Sequence, residues 1–353
     1  MKNLNLINKN MECEIIIKNK FDLDLKKEWE DLQKDANINF FQTFKWQKYW
    51  NEKCGNDIEN LITMFYKKGE LISILPLNIK KIKFVKILNW NGFPFSDYNQ
   101  PLIKHNQSLT SKDFNFIISK IYSKYKFDNL HLINCVNCCY LTKKKFISNN
   151  ISKLIFFENE IDKQIINNFH KKMNYDKNRL KKNFKYEVCI NENNKKEILN
   201  FFIKEKYKQL KKTRAWNYLN FESYKKYIYD LIEFDNENLC FSCLKINNKI
   251  ISSHIGYIYN NNYYYIFPVY DQDFKKYSPG NILLSELIEN YKVRKFDVFD
   301  FTIGNELYKK KLSNFNDHTY EYISSTSFFG LFYYLKSKIK IKIKALLLNR
   351  QIK

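Results

Sequence analysis

Apolar residues recur along the first half of the chain with two spacings, one typical of helices and one typical of strands. The helical spacing predicts helices at 24–38, from Thr43 up to Gly55, and at 110–124. Apolar runs bounded by turn residues predict strands at 61–66, 71–79, 84–90, 129–135 and 152–158. A Lys-Lys-Gly-Glu turn at 67–70 joins the first two strands into a hairpin.

The second half repeats this order of elements. Predicted helices cover 162–183, 194–211, 221–233 and 281–293, with a short helix from Asn305. Predicted strands cover 186–190, 240–246, 250–259, 263–269 and 296–301, with a further strand near 319–323. The two hairpin turns lie about 180 residues apart, although the halves share little sequence. The pattern therefore predicts two copies of one α/β unit, with a boundary near 158–165.

Composition supports a folded chain and narrows its class. A length of 353 residues suits about two domains, and 44% hydrophobic residues exclude a disordered chain. Seven Gly and five Pro are too few for a collagen-like or turn-dense all-β protein. The net charge of +23 favours the binding of polyanions. However, only four of the 60 basic residues are Arg, the residue that most often makes specific contacts with bases and phosphates. We therefore do not expect a dedicated nucleic-acid protein.

The N-terminal residues and the cysteines indicate a cytoplasmic protein. Residues 1–10 are polar, and no apolar stretch reaches the ~20 residues of a membrane span. Eight Cys are too sparse for a disulfide scaffold. Cys240 and Cys243 lie three apart on a strand and so point to opposite faces, and the group of His131, Cys135, Cys138 and Cys139 has no second half-site. We expect no metal.

One segment, 270–281, has the chemistry of an anion site. Ser278 is a suitable N-cap, Pro279 suits the first helical position, and Gly280 leaves the first turn open. The amides of Gly280, Asn281 and Ile282 are then available to a pyrophosphate at the positive end of the helix dipole. Lys275 and Lys276 add positive charge. The alternative is simply a well-capped helix.

A second segment, 300–309, follows the strand expected beside 263–269. Gly304 permits a tight turn. Asp300, Glu306, Tyr308 and Lys309 would then gather at the carboxyl end of the sheet, where α/β proteins usually place their sites. The alternative is an ordinary strand-to-helix turn with solvated charges.

These two segments resemble the GNAT acyltransferase superfamily, through Tyr-Ser-Pro-Gly at 277–280 and Asp-Phe-Thr-Ile-Gly-Asn-Glu-Leu-Tyr-Lys-Lys at 300–310. They are most similar to the CelD-like branch, which is related to the Fem-type aminoacyltransferases; residues 40–50 and 69–77 resemble its N-terminal half. The resemblance implies an α/β (α+β) fold of two tandem GNAT-like domains, each a mixed, mostly antiparallel sheet flanked by helices. The N-terminal domain, 1–160, would be degenerate, and 161–325 would carry the acyltransferase.

The resemblance also implies a reaction: transfer of an acyl group, in particular acetyl, from acyl-CoA to an amine. The acceptor would be a small molecule, an amino sugar or another cell-envelope or polysaccharide precursor. The implied donor site comprises Phe267, Val269, Lys275, Lys276, Tyr277, Ser278, Gly280, Asn281 and Ile282. The family's phosphate loop usually has more glycines than this one. A Fem-like enzyme that uses aminoacyl-tRNA, and a non-catalytic binding protein on a GNAT scaffold, therefore remain alternatives.

Catalytic roles follow as a hypothesis. Glu306 or Asp271 would take the amine proton, and Tyr308 or Tyr277 would protonate the leaving thiolate. The sheet would splay beside 263–269, where Pro268 interrupts the ladder, so that a backbone amide can bind the thioester oxygen. The acceptor would meet Arg214, Trp216, Asp300 and Lys309, with a packing role as the alternative for Arg214 and Trp216. His254 is interpreted as a structural residue.

The C-terminal segment, 326–353, is a predicted basic aromatic helix. Phe and Tyr residues at 328–334 are followed by Lys at every second position from 336 to 344. One interpretation is an amphipathic helix on anionic lipid, which would place the protein at the inner face of the membrane. The other is a helix that packs on its own domain with a solvated Lys face.

Overall fold

The computed structural model describes residues 13–141, 145–156, 160–235 and 237–350, and it describes side chains outside 160–162 and 342–350. The chain forms two compact units, 1–149 with 318–353, and 150–317. The chain passes from one unit to the other at 149/150 and at 317/318, whereas the predicted boundaries are at 160/161 and 325/326. Among the described residues, no helix is both long enough and apolar enough to cross a membrane.

The first unit is a sheet with helices. Its helices are α1 (Leu23–Lys34), α2 (Phe44–Cys54), α3 (Ser111–Lys124) and α10 (Phe328–Arg350). Its strands are β1 (Cys13–Lys18), β2 (Ile58–Lys67), β3 (Glu70–Ile82), β4 (Val85–Trp90), β5 (Leu102–Ile103) and β6 (Asn129–Cys135). The strands pair in the order β1-β2-β3-β4-β6, antiparallel except for β4 with β6, and β5 pairs with β3.

The second unit has the same plan. Its helices are α4 (Glu160–Asn183), α5 (Lys195–Thr213), α6 (Glu222–Tyr229), α7 (Leu231–Phe234), α8 (Pro279–Val293) and α9 (Leu307–Leu312). Its strands are β8 (Tyr186–Cys189), β9 (Leu239–Ile246), β10 (Lys249–Tyr259), β11 (Asn262–Tyr270) and β12 (Val298–Ile303). They pair in the order β12-β11-β10-β9-β8, with only β11 and β12 parallel. Residues 150–155 of β7 (Lys145–Ile155) lie beside β12, and β13 spans Phe315–Ser325.

Local signals explain why the elements begin and end where they do. The Asp22 and Thr43 side chains accept hydrogen bonds from the first-turn amides of α1 and α2, and Gly55 ends α2. Leu25, Trp29 and Leu32 are buried on one face of α1, as their spacing predicts. Each unit has its own core, which includes residues of α3, β4 and β6 in the first unit and of α8, β11 and β12 in the second. α8 packs on β9, β10 and β11.

The predicted fold class and two-domain architecture are confirmed. The differences lie at element ends. The first helix stops at Lys34 instead of 38, and the helix predicted at 221–233 is broken at Asp230 into α6 and α7. β1 was not predicted. The strand predicted at 152–158 is β7, which ends at Ile155; positions 157–158 lie outside the described residues.

Candidate active site

The two parallel strands of the second unit separate part-way along their length. β11 and β12 pair only from Asn262 with Val298 to Tyr264 with Asp300, although the strands continue to Tyr270 and Ile303. The backbone of β11 beyond Tyr264 is therefore not part of a ladder with β12. This is the predicted splay beside 263–269.

Irregularities in both strands accompany the separation. The β10–β11 register shifts between Ile255 and Gly256, so Ile266 is an extra residue on β11. The β10–β11 ladder includes the His254–Pro268 pair, and the β11–β12 pairing ends at Tyr264, four residues before Pro268. The separation of β11 from β12 therefore starts before Pro268. β12 bulges after Asp300, where Thr302 has a φ of 58°.

Asp300 holds the β12 bulge. Its carboxylate is buried, accepts a 2.8 Å hydrogen bond from the Thr302 N–H and lies 3.0 Å from the Lys153 ammonium. A carboxylate engaged in this way stabilises the turn of the strand and does not face the cavity described next. Asp300 thus has a structural role in the bulge, and its predicted acceptor-binding role stays a prediction.

A cavity of about 440 Å³ lies where the two strands part. Seven of the predicted site residues line it: Val269, Lys275, Ser278, Gly280, Asn281, Glu306 and Tyr308. Lys206, Gln209, Ser252, Tyr265, Pro268, Tyr270, Pro279 and Leu284 complete the lining. The two segments singled out in the sequence thus meet at one cavity, which neither segment forms alone.

The start of α8 differs from its prediction. Ser278 occupies the N-cap position, but with a φ of 54° and without a side-chain capping bond. The amides of Asn281 and Ile282 each donate a 3.0 Å hydrogen bond to the Ser278 carbonyl, so they are not available to an anion. Of the three amides predicted to bind a pyrophosphate, only that of Gly280 does not donate to the Ser278 carbonyl. The reason is a tight first turn, in which one carbonyl accepts from two successive N–H groups.

Glu306 is held by its own short loop. It precedes α9, and its carboxylate lies 3.4 Å from the Lys309 ammonium. Lys309 is buried and also donates a 2.7 Å hydrogen bond to the Ile303 carbonyl. Gly304 has a φ of +152°, a backbone conformation that L side chains rarely adopt, so glycine suits this turn. Lys309 therefore positions Glu306 and does not line the cavity.

Two tyrosines lie beside Glu306. Burial raises the pKa of Tyr308 above its usual value, with smaller contributions from Tyr265 and Glu306. Burial also raises the pKa of Tyr265, and the Glu306 charge adds to this. Both phenols are neutral at physiological pH and can donate a proton or a hydrogen bond. Tyr265 was missed because nothing in a run of three tyrosines distinguishes it from core residues.

Other predicted site residues lie away from the cavity lining. Asp271 caps the 3₁₀ helix Gln272–Tyr277, accepts from the Asp273 amide at 3.1 Å and lies 3.8 Å from Lys249. Phe267 packs on Phe202, and Ile282 is a core residue. The Lys276 carbonyl accepts a hydrogen bond from Arg179, and the Tyr277 ring packs on Phe184.

The predicted acceptor residues on α5 and beyond it are also outside the lining. Arg214 ends α5 in a left-handed conformation, and Trp216 packs among Tyr218, Phe221 and Tyr224. The ring contacts agree with the packing alternative for Trp216, whereas Arg214 is exposed, and the acceptor role of both stays a prediction. Lys206 and Gln209, three residues apart on one face of α5, are the helix's contribution to the cavity. The sequence shows that Lys206 and Gln209 share one face of α5, but it does not show that this face lines the cavity.

His254 and the cysteine groups have structural surroundings. The His254 ring is buried, stacks on Tyr265 at 3.9 Å and lies 2.9 Å from the Tyr263 hydroxyl through Nδ1. His131 uses both ring nitrogens, toward Tyr333 and Glu321. In the described part of the chain, no group of three or more His, Cys, Asp or Glu side chains is placed to hold a metal ion.

Comparison with known proteins agrees with this geometry. Residues 167–310 match the family model of the acetyltransferase (GNAT) domain, and they include the whole cavity lining. This segment is a GNAT domain. The predicted relation to the GNAT superfamily is thus confirmed through this domain. No curated protein sequence matches the chain.

Solved structures extend the likeness in fold to both units. The structure of FemX has a TM-score of 0.58 at 11% identity, covering 88% of this chain and 97% of that one. A tandem GNAT protein from the clavulanic acid biosynthesis pathway has a TM-score of 0.52 at 7% identity, covering 89% and 98%. The C-terminal domain of a putative lysylphosphatidylglycerol synthetase from Agrobacterium fabrum has a TM-score of 0.53 at 8% identity, covering 90% and 96%. At these identities the likeness concerns the fold alone.

Proposed function

We propose that this GNAT protein transfers an acyl group from acyl-CoA to a primary amine at the cavity of its second unit. The observation that carries the proposal is the meeting of three features at one cavity: the splayed β11 and β12, the start of α8, and Glu306 with Tyr308. An amino sugar or another cell-envelope or polysaccharide precursor is the acceptor class that we retain from the sequence.

The donor would bind along the start of α8. The first turn of α8 contains no acidic residue, Gly280 leaves it open, and Lys275 lines the same cavity. The helix dipole and the Lys275 ammonium both favour a pyrophosphate there. Beyond Tyr264, the β11 backbone is not hydrogen-bonded to β12, and its N–H groups would donate to the thioester oxygen. One such donor contributes about 3 kcal/mol to transition-state stabilisation.

Glu306 and Tyr308 would move the protons. The amine nitrogen attacks the thioester carbon, a C–N bond forms, and the C–S bond breaks as the tetrahedral intermediate collapses. Glu306, exposed and held by Lys309, takes the proton that the amine loses, directly or through water. Tyr308, kept neutral by burial, gives its proton to the thiolate and recovers one from solvent. We do not assign this role to Asp271, which caps a helix and does not line the cavity.

A second candidate, a Fem-like transfer from aminoacyl-tRNA, is favoured by one observation. Two of the three amides expected to hold the pyrophosphate are used by the Ser278 carbonyl. With fewer amides available to its pyrophosphate, CoA would bind less tightly relative to another activated acyl donor. The net charge of +23 also favours the binding of any nucleic acid.

Ligand-induced stabilisation separates the two donors. Acetyl-CoA at 100 times its dissociation constant should raise the free energy of unfolding by about 2.7 kcal/mol in a thermal-shift titration. Stabilisation by aminoacyl-tRNA but by neither acetyl-CoA nor CoA would instead support the second candidate.

Activity then tests the role of Glu306. Glu306→Gln should lower kcat for acetyl transfer to an amine by about 100-fold at neutral pH while the acetyl-CoA shift persists. Glu222→Gln on exposed α6 is the matched control and should leave kcat unchanged. Full activity of Glu306→Gln at saturating donor would show that another group takes the proton.

A further inference from the structure

The C-terminal helix α10 exposes a continuous apolar face. Phe328, Phe329 and Phe332 are 71%, 67% and 64% exposed, and Leu335 and Ile339 are 48% and 60% exposed. Positions 328, 332, 335 and 339 recur every three or four residues and therefore share one side of the helix. Soluble proteins rarely leave such a contiguous apolar surface uncovered, and where they do it marks an interaction site.

The opposite face of α10 fixes which way this apolar face points. The Gly330 carbonyl accepts a 3.0 Å hydrogen bond from Asn129, and a Cβ at Gly330 would stand 2.2 Å from the Asp128 carbonyl. Tyr333 lies 2.9 Å from His131 Nδ1, and Ile341 is buried. Because these contacts set the rotation of the helix, Phe328 and Phe332 cannot turn inward without breaking them.

The charge of α10 identifies the kind of partner. Residues 328–350 contain five Lys, one Arg and neither Asp nor Glu. Lys336 and Lys340 are exposed one turn apart, beside Leu335 and Ile339. Aromatic and aliphatic side chains flanked by lysines suit the boundary between acyl chains and anionic headgroups. A second copy of the helix would bring like charges together, so the same face disfavours self-association.

We propose that α10 docks this GNAT protein on the surface of an anionic lipid bilayer. Phe328, Phe329 and Phe332 enter the headgroup and upper acyl-chain region, while Lys336 and Lys340 pair with lipid phosphates. The helix lies on the membrane and does not cross it. The packing interpretation describes one face of α10, which contacts the first unit, and the lipid interpretation is our proposal for the other face. The proposal does not depend on the acyl donor.

Vesicle flotation of the full chain tests the proposal. We expect binding to phosphatidylcholine vesicles that contain about 30% phosphatidylglycerol, and at least about tenfold weaker binding to pure phosphatidylcholine. The variant Phe328→Ser, Phe329→Ser, Phe332→Ser should bind the anionic vesicles at least about tenfold more weakly. The variant Lys336→Gln, Lys340→Gln should lose much of the dependence of binding on salt.

Phe84→Ser is the matched control, because Phe84 is 87% exposed in the same unit but is not on α10. This variant should float like the unchanged protein. Circular dichroism before flotation confirms that each variant is folded. Equal flotation of the triple Phe variant, or no preference for anionic vesicles, would overturn the proposal. So would a dimer in lipid-free sedimentation that the triple Phe variant abolishes, since the face would then bind a second copy.

Discussion

Single residues of the second unit show how burial sets protonation. Burial lowers the pKa of His254 well below its usual 6.5, and Nε2 of this ring has no hydrogen-bond partner among the described residues. The ring is therefore neutral in the folded protein, with Tyr263 and Tyr265 around it. Between the lowered pKa and 6.5, the unfolded chain binds a proton that the folded chain does not. Stability contributed by this neutral ring is present above pH 6.5 and is lost as the pH falls below it.

We predict a corresponding pH dependence of stability. From pH 6.5 downward, the free energy of unfolding should fall by up to about 1.4 kcal/mol per pH unit through this group. His254→Phe keeps an aromatic ring against Tyr265 and should remove that part of the slope in urea unfolding at pH 5, 6 and 7. His105→Phe at the exposed surface of the first unit is the matched control. An unchanged slope in His254→Phe would show that His254 does not resist protonation.

At the scale of elements, the starts of α3 and α8 contrast. Burial opposes ionisation of Asp113, but hydrogen bonds from Thr110 and the pairing with Lys67 at 3.0 Å outweigh it and lower its pKa. This carboxylate completes a capping box at the start of α3. The start of α8 carries no such group, and Gly280 lies 3.4 Å, measured from its ideal Cβ, from the Tyr270 ring. We therefore expect an anion to be favoured at the start of α8 and repelled at the start of α3.

Side chains placed at Gly280 should block the donor in proportion to their size. Gly280→Ala adds a methyl group in contact with Tyr270 and should raise KM for the donor modestly. Gly280→Leu should fill the cavity and raise KM at least about tenfold, with the fold kept because helices accept Leu readily. Steady-state kinetics with varied acetyl-CoA measure both variants. Equal KM values for all three proteins would place the donor elsewhere.

The bulge of β12 is the second element on which the cavity depends. Asp300→Ala would leave the buried Thr302 N–H without the Asp300 acceptor and would remove the ion pair with Lys153. We expect a loss of about 1–3 kcal/mol in the free energy of unfolding, measured by chemical denaturation. Asp300→Asn keeps an acceptor and should lose less. The exposed Asp297→Ala is the control; a similar loss in that variant would mean that the bulge does not depend on Asp300.

At the scale of the whole molecule, the two units share one plan, but α3 of the first begins with a capping box and α8 of the second does not. The predicted degeneracy of the N-terminal unit stays a proposal, supported by the carboxylate at the start of α3. Hydrogen exchange with saturating acetyl-CoA should slow within 265–284 of the second unit and stay unchanged at 110–124 of the first. Protection at 110–124 would show a second donor site.

The sequence by itself determined most of the elements and the repeat. Apolar spacing, caps such as Thr43 and turns such as 67–70 act over a few residues, so α2, the β2–β3 hairpin and the duplicated order can be predicted without tertiary contacts. The two segments around Ser278 and Glu306 could also be identified, because turn and charge chemistry is local.

Only the tertiary structure decided which of these side chains face the cavity. Asp271, Asp300 and Lys309 are polar residues in the right segments, yet they hold a cap, a bulge and a loop, because their partners come from packing and local backbone geometry. Lys206 and Tyr265 reach the cavity because α5 and the splayed β11 place them there. The outward face of α10 likewise follows from contacts such as that of Gly330 with Asp128. Sequence spacing predicts that a face exists; packing decides what it meets.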